Sequence, residues 1–246
     1  MSIIELCGVK KAFGSNRVLR GIDFKLEKGE TLAILGGSGT GKSVILKTII
    51  GLLDPDEGTI LYEGKNITHL KEKDYFPIRK EISYLFQGGA LFDSMNVFEN
   101  LAFPLRQHST DSEREIREKV SVSLQRVGMG QEVEKLYPPD LSGGMMKRIA
   151  LARAIINHPR IILYDEPTTG LDPLTAKTIN ELIVKMQKDL DITSIVVTHD
   201  MSTVFRVADQ LAFLQNGLIS FFGSLEEAKT CPNETLRAYL KGGIHE

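Results

Sequence analysis

One octapeptide constrains this chain more than any other stretch: Gly36-Gly37-Ser38-Gly39-Thr40-Gly41-Lys42-Ser43. Thr31 to Leu35, which reads as a buried strand, precedes it, and a helix follows. Glycines at this density let backbone N–H groups crowd around an anion. A helix opening there turns its positive end the same way. The pattern G-x-x-x-x-G-K-[ST], with strand before and helix after, predicts a phosphate loop. Lys42 is placed to bridge β- and γ-phosphates, and the Ser43 hydroxyl to ligate Mg²⁺.

The rest of the chain fits an α/β fold built around that loop. Ile22, Phe24 and Leu26 alternate with charged residues and predict a half-buried strand. Ile161 to Tyr164 and Ser194 to Val197 read as buried strands. Asp172 and Pro173 predict a helix start, and Ala176, Ile179, Ile183, Met186 and Leu190 trace one apolar stripe behind them. Between Leu91 and Ile156 the strand pattern lapses. Ser112 and Glu115 form a capping box there, followed by Ile116, Val120, Leu124 and Val127. This stretch predicts a helical lobe inserted into the α/β core. Residues from Pro232 to Leu240 predict one last short helix.

Two further motifs carry chemistry. The strand Ile161 to Tyr164 ends in Asp165-Glu166. Asp165 suits a carboxylate holding Mg²⁺ through water, and Glu166 one that orients an attacking water. Alone, such a pair is as well read as a solvated strand end. Leu141-Ser142-Gly143-Gly144-Met145 opens a helix carrying Lys147, Arg148 and Arg153. A serine and two glycines at a helix start make a second anion site. Two anion sites with one phosphate loop ask for a second copy of the chain.

In this order the motifs resemble those of ATP-binding cassette (ABC) ATPase subunits, along essentially the full length. The resemblance implies an α/β P-loop NTPase fold: a RecA-like core with a mixed sheet, an antiparallel β subdomain and an inserted α-helical subdomain. Residues 1–90 and 157–246 would form the ATP-binding core of one nucleotide-binding domain, and 91–156 the helical part. ATP and Mg²⁺ are the implied cofactors. Gln87 resembles the glutamine that reaches Mg²⁺ and senses the γ-phosphate, and His199 the switch histidine. Lys42, Glu166 and His199 are the implied catalytic set, and Ser43, Gln87 and Asp165 the metal set. Gly170-Leu171-Asp172 resembles the loop that crosses a dimer interface. Phe13 stands where the family stacks a ring on adenine, although alone it fits a core position equally well. Ser142, Gly143 and Gly144 would clamp the partner copy's nucleotide. Met145 replaces the family's usual glutamine and offers no conventional donor.

The segment Phe86 to Asn100, then Ala102 to Arg106, together with the Leu141 to Met145 motif, resembles ATPases that serve MCE-type lipid transport, the Mla group. That resemblance implies a homodimer with permease subunits and an MCE-domain lipid carrier. Leu91, Phe92, Val97 and Phe98 are then expected to be exposed toward the permease, with internal packing of the helical lobe as the alternative for any one of them. In the Mla group a C-terminal tail touches the neighbouring ATPase, which points to the helix bearing Leu236, Tyr239 and Leu240. An importer of amino acids or another polar solute is the alternative, and a non-transport ABC protein a more distant one.

Composition narrows the setting. The chain has 246 residues, with 30 Lys+Arg against 32 Asp+Glu, a formal charge of −2. That balance excludes nucleic-acid binding by bulk electrostatics. Cys7 and Cys231 are too few and too far apart for a disulfide framework. No apolar run reaches the roughly 18 residues of a membrane span, and the N-terminus is too mixed for a signal peptide. The expectation is a cytoplasmic subunit, peripheral on the inner face of the inner membrane through its permease.

Overall fold

The computed structural model describes residues 2–242. In chain order its elements are β1 (Ser2–Phe13), β2 (Asn16–Glu27), β3 (Thr31–Leu35), α1 (Lys42–Ile49), β4 (Glu57–Tyr62), β5 (Lys65–Asn66), α2 (Glu72–Glu81) and β6 (Ile82–Leu85). They continue with α3 (Val97–His108), α4 (Glu113–Arg126), α5 (Gly143–Ile155), β7 (Ile161–Asp165), α6 (Pro173–Leu190), β8 (Thr193–Thr198) and α7 (Met201–Val207). The last are β9 (Gln210–Gln215), β10 (Leu218–Gly223), α8 (Leu225–Thr230) and α9 (Glu234–Gly242).

The larger sheet runs β10-β9-β3-β8-β7-β6. β9, β3, β8, β7 and β6 are parallel, and β10 returns antiparallel. β3, β7 and β8 are buried at every position. That is why their centres are runs of apolar residues without alternation: both faces are covered. The second sheet, β2-β1-β4-β5, is antiparallel. Ile22, Phe24 and Leu26 of β2 are buried on its inner face, as the alternation predicts. They share one apolar cluster with Ile34 of β3 and Ile45, Leu46 and Ile49 of α1. α1 therefore packs on both sheets, and the phosphate loop at its start is held by both. The expected mixed sheet, antiparallel sheet and inserted helices are all present.

β6 and β7 are neighbours in the sheet, yet α3, α4 and α5 lie between them in the chain. Ser112 and Glu115 cap α4 reciprocally, and Ile116, Val120, Leu124 and Val127 are buried. These side chains join one apolar cluster with α5, β7 and α6. α6 opens on Asp172, whose carboxylate accepts from the Leu174 and Thr175 N–H groups at 3.1 and 3.0 Å. Ile179, Ile183 and Met186 bury its stripe.

One expectation is corrected. Val97 is buried, not exposed. It is the first residue of α3 and its N–H donates to the Leu136 carbonyl at 2.9 Å, which turns the side chain into the helical core. Leu91 and Phe98 pack partly buried against the same core, so of the four only Phe92 is exposed. At the other end, Leu236 and Leu240 of α9 are buried against Phe213 and Val204 of their own chain. Tyr239 between them is half-buried, and residues 243–246 of the tail lie outside the described residues. α9 itself begins at Glu234, and α8, capped by Ser224 and Glu227, precedes it without having been expected.

Candidate nucleotide site

The phosphate loop closes over a cavity of about 330 Å³. Ser38, Gly39, Gly41, Lys42 and Ser43 form its floor, and Gln87, Glu166 and His199 face them. Two glycines are sterically required. At Gly36 an added Cβ would lie 2.7 Å from the Leu214 carbonyl oxygen. At Gly41 it would lie 2.7 Å from Val18 Cγ1, on backbone at φ +106°. Thr40 ties the loop by donating its hydroxyl to the Gly37 carbonyl at 2.9 Å.

Lys42 is almost fully buried. Its ammonium donates to the Gly36 and Gly37 carbonyls at 2.8 and 3.0 Å and pairs with Glu166 Oε1 at 3.2 Å. The loop thus folds back on its own lysine, which keeps the cation at the centre of the cradle. Glu166 follows β7 with φ +50°. Its other oxygen accepts from Thr169 Oγ1 at 3.0 Å and meets His199 Nδ1 at 2.9 Å. Burial pushes the Glu166 carboxyl up, but the His199 hydrogen bond and the Lys42 charge outweigh it and leave it below the usual carboxylate range.

Asp165 is buried at the end of β7, with Ser43 Oγ donating to Oδ1 at 2.7 Å and the Tyr84 hydroxyl donating to Oδ2 at 2.7 Å. Among the described residues no group of three or more His, Cys, Asp or Glu forms a metal cage. Mg²⁺ needs none: it takes hard oxygens, one or two from protein and others from phosphates and water. A serine hydroxyl and a carboxylate hydrogen-bonded across the cradle fit that demand. Gln87 is exposed at the cavity, and its backbone carbonyl accepts from the buried Lys147 ammonium. Burial, partly offset by the charges of Asp165 and Glu166, pulls Lys147 below its ordinary value.

Other expected residues stand apart from this cavity. Ser142 caps α5, accepting from the Met145 N–H at 3.3 Å, and with Gly143 it is exposed to solvent. Ser142, Gly143, Gly144 and Asp172 line none of the chain's own phosphate cavity. Phe13, at the end of β1, is 48% exposed beneath the Lys11 ammonium and also lies outside it. Sequence reasoning gave no role at this cavity to Val18, Thr169 or Tyr84, nor to Lys147, which it placed only on the helix behind the Leu141–Met145 motif. None belongs to a motif. Thr169 lies only three residues past Glu166 in the loop after β7; the others are brought to the site by sheet pairing or helix packing.

Beside β6 runs a second cavity, about 420 Å³, between the sheet and the inserted helices. Phe86, Phe92 and Phe103 line it, with Arg79, Lys80 and Arg153 also on its wall. The Phe92 and Phe103 rings meet at a tilt, with centroids 5.1 Å apart, and both are more than a third exposed. Exposed aromatic clusters of this kind mark interaction faces.

A phosphate loop on a parallel sheet, with a strand-end carboxylate pair and an ordered histidine, defines a P-loop nucleotide hydrolase. The ABC transporter family profile matches residues 19–169. The chain is 43% identical over 239 residues to the "Probable ribonucleotide transport ATP-binding protein mkl" of Mycobacterium leprae, covering 97% of this chain and 69% of that protein. It is 37% identical over 241 residues to the "Intermembrane phospholipid transport system ATP-binding protein MlaF" of Escherichia coli, covering 98% and 89%. It is 38% identical over 254 residues to the "Methionine import ATP-binding protein MetN" of Campylobacter jejuni, covering 97% and 75%. The fold matches the dimeric post-hydrolysis structure of the ATP-binding cassette MJ0796 with ADP and Pi bound, at TM-score 0.83 and 30% identity over 90% of this chain and 98% of that one. The chain belongs to the ABC transporter family, as an ATPase that couples ATP hydrolysis to transport.

Proposed function

We infer that this chain powers the movement of phospholipid. Two copies would join permease subunits and an MCE-type lipid carrier, on the cytoplasmic face of the inner membrane. The likeness to MlaF over nearly the full length of both proteins carries this reading. No helix among the described residues is long and apolar enough to cross a membrane, which leaves that task to a permease. The aromatic cavity between sheet and inserted helices offers the permease a seat. The chain spans about two thirds of mkl, whose name specifies ribonucleotide transport. That name and MetN's support the second reading, an importer of a polar solute.

In each copy Lys42 would leave its carbonyls for the β- and γ-phosphates, and His199 would hold the γ-phosphate. Glu166, freed from Lys42, would orient the attacking water. Ser43, Asp165 and Gln87 would hold Mg²⁺, which neutralises phosphate charge when bound. Ser142 and Gly143, exposed, and the half-buried Gly144, all outside their own cradle, would close on the partner copy's nucleotide. Asp172 would lie at that joint, and Phe13 would stack on the adenine.

Two experiments test this. Glu166→Gln should lower turnover by roughly 10²-fold or more while nucleotide still binds; near-normal turnover sinks the role of Glu166. Mass spectrometry of the complex purified with its membrane partner should find phospholipid. An amino acid or nucleotide in its place selects the second reading.

A further inference from the structure

Tyr84 belongs to no motif, yet its hydroxyl has one partner in the structure, and that partner is Asp165. The two residues are 81 positions apart and meet because β6 and β7 pair in parallel, with Tyr84 opposite Leu163 and Leu85 opposite Tyr164. Asp165 is 6% exposed, so each of its oxygens needs a donor. Oδ1 has Ser43 and Oδ2 has Tyr84, both at 2.7 Å. The two donors are not equivalent. Ser43 lines the cradle itself, where its own oxygen would turn to a metal. Tyr84 sits on a strand with its ring at 4.3 Å from that of Phe86, and nothing in the cradle competes for its proton. A phenylalanine would fill the same space; only the hydroxyl reaches the carboxylate.

We propose that Tyr84 is a positioning residue for magnesium: it fixes Oδ2 of Asp165, so that Oδ1 stays aimed at the cradle when Ser43 turns away. Outer partners of this kind orient metal-holding carboxylates and set their affinity. The proposal rests on the reading of Asp165 as the Mg²⁺ carboxylate. The ring of Tyr84 also lies in the wall of the aromatic cavity, so one side chain borders both the metal carboxylate and the partner face.

The test uses ADP and the full-length chain, with no turnover. ADP binding is measured by calorimetry in EDTA and then across a Mg²⁺ titration, for wild type, Tyr84→Phe and Asp165→Asn. Tyr84→Phe should bind ADP in EDTA as wild type does, and its Mg²⁺ midpoint should rise roughly 10-fold. With Mn²⁺ in place of Mg²⁺, the spin-resonance linewidth of the bound ion should change in the same variant, which a general loss of stability would not cause. An unchanged midpoint in Tyr84→Phe beside a raised one in Asp165→Asn overturns the role of Tyr84 alone. An unchanged midpoint in Asp165→Asn removes the Asp165 reading and this proposal with it. Should Tyr84→Phe fold poorly, Tyr84→Met, which also lacks the hydroxyl, is read by the same outcomes.

Discussion

Replacing Lys42 by Met should unsettle the protein before any nucleotide is added. The ammonium holds two backbone carbonyls and lies 3.2 Å from Glu166 Oε1, with both side chains nearly buried. At that distance and an effective dielectric near 20, the attraction is about 5 kcal/mol, against which desolvation of both ions must be set. Removing one partner of a buried pair leaves the other charge uncompensated, which costs about 3 kcal/mol. Glu166 keeps Thr169 and His199, so the lower end of the usual range applies. For a chain of this size, that loss lowers the melting temperature by about 6–12 °C. Glu166→Gln should cost less, about 1 kcal/mol, because Lys42 retains its two carbonyls. The double variant Lys42→Met/Glu166→Gln carries no stranded charge. It should cost about 2 kcal/mol less than the sum of the single changes. Urea unfolding of the four proteins without nucleotide completes the cycle. Effects that add to within about 0.5 kcal/mol would refute the pairing as a determinant of the empty state.

Gly41→Ala drives a Cβ onto Val18 Cγ1 at left-handed backbone, a strain of about 1–2 kcal/mol. Fluorescent-nucleotide titration should show binding weakened by roughly 10-fold or more, since the cradle itself is displaced. Burial, with the Lys80 charge, holds the His108 imidazole below its ordinary value. The unfolded chain therefore takes up that proton first, and stability should fall as pH drops through about 6.5 and below. His108→Phe should flatten that part of the slope in urea midpoints taken at pH 5.5 and 7.5. Phe92→Asp puts a charge into the exposed aromatic cluster, and recovery of permease in detergent pull-downs should fall by roughly 30-fold, the weight of one interface anchor.

The parts readable from sequence are those whose physics is local. The phosphate loop, the capping boxes and the fully apolar strands each draw their signal from a few adjacent residues. Asp172 declares its helix because a cap, a proline and a stripe fall within one segment. Register is different. Tyr84 reaches Asp165 only through the pairing of strands whose sequences lie far apart, and nothing in either segment encodes that partner. Val97 shows a subtler limit. It lies close to Phe92 in a segment broken by Asp93, Ser94 and Asn96, but the start of α3 turns Val97 inward while the loop before it leaves Phe92 in solvent. Neighbouring apolar residues say that some face is buried, not which of them bears it.

The solvent-facing turn Ser142–Gly144 has a consequence for inheritance. On the proposed reading, in which this helix start closes on the partner copy's nucleotide, a damaged copy that has lost Lys42 would still present it intact to its neighbour and would still recruit healthy subunits. With equal amounts of intact and damaged chains pairing at random, only about a quarter of the twofold assemblies contain two sound copies. Faults in the cradle of such a subunit should therefore behave as dominant, whereas faults that stop the chain folding, and so remove the turn as well, should be recessive.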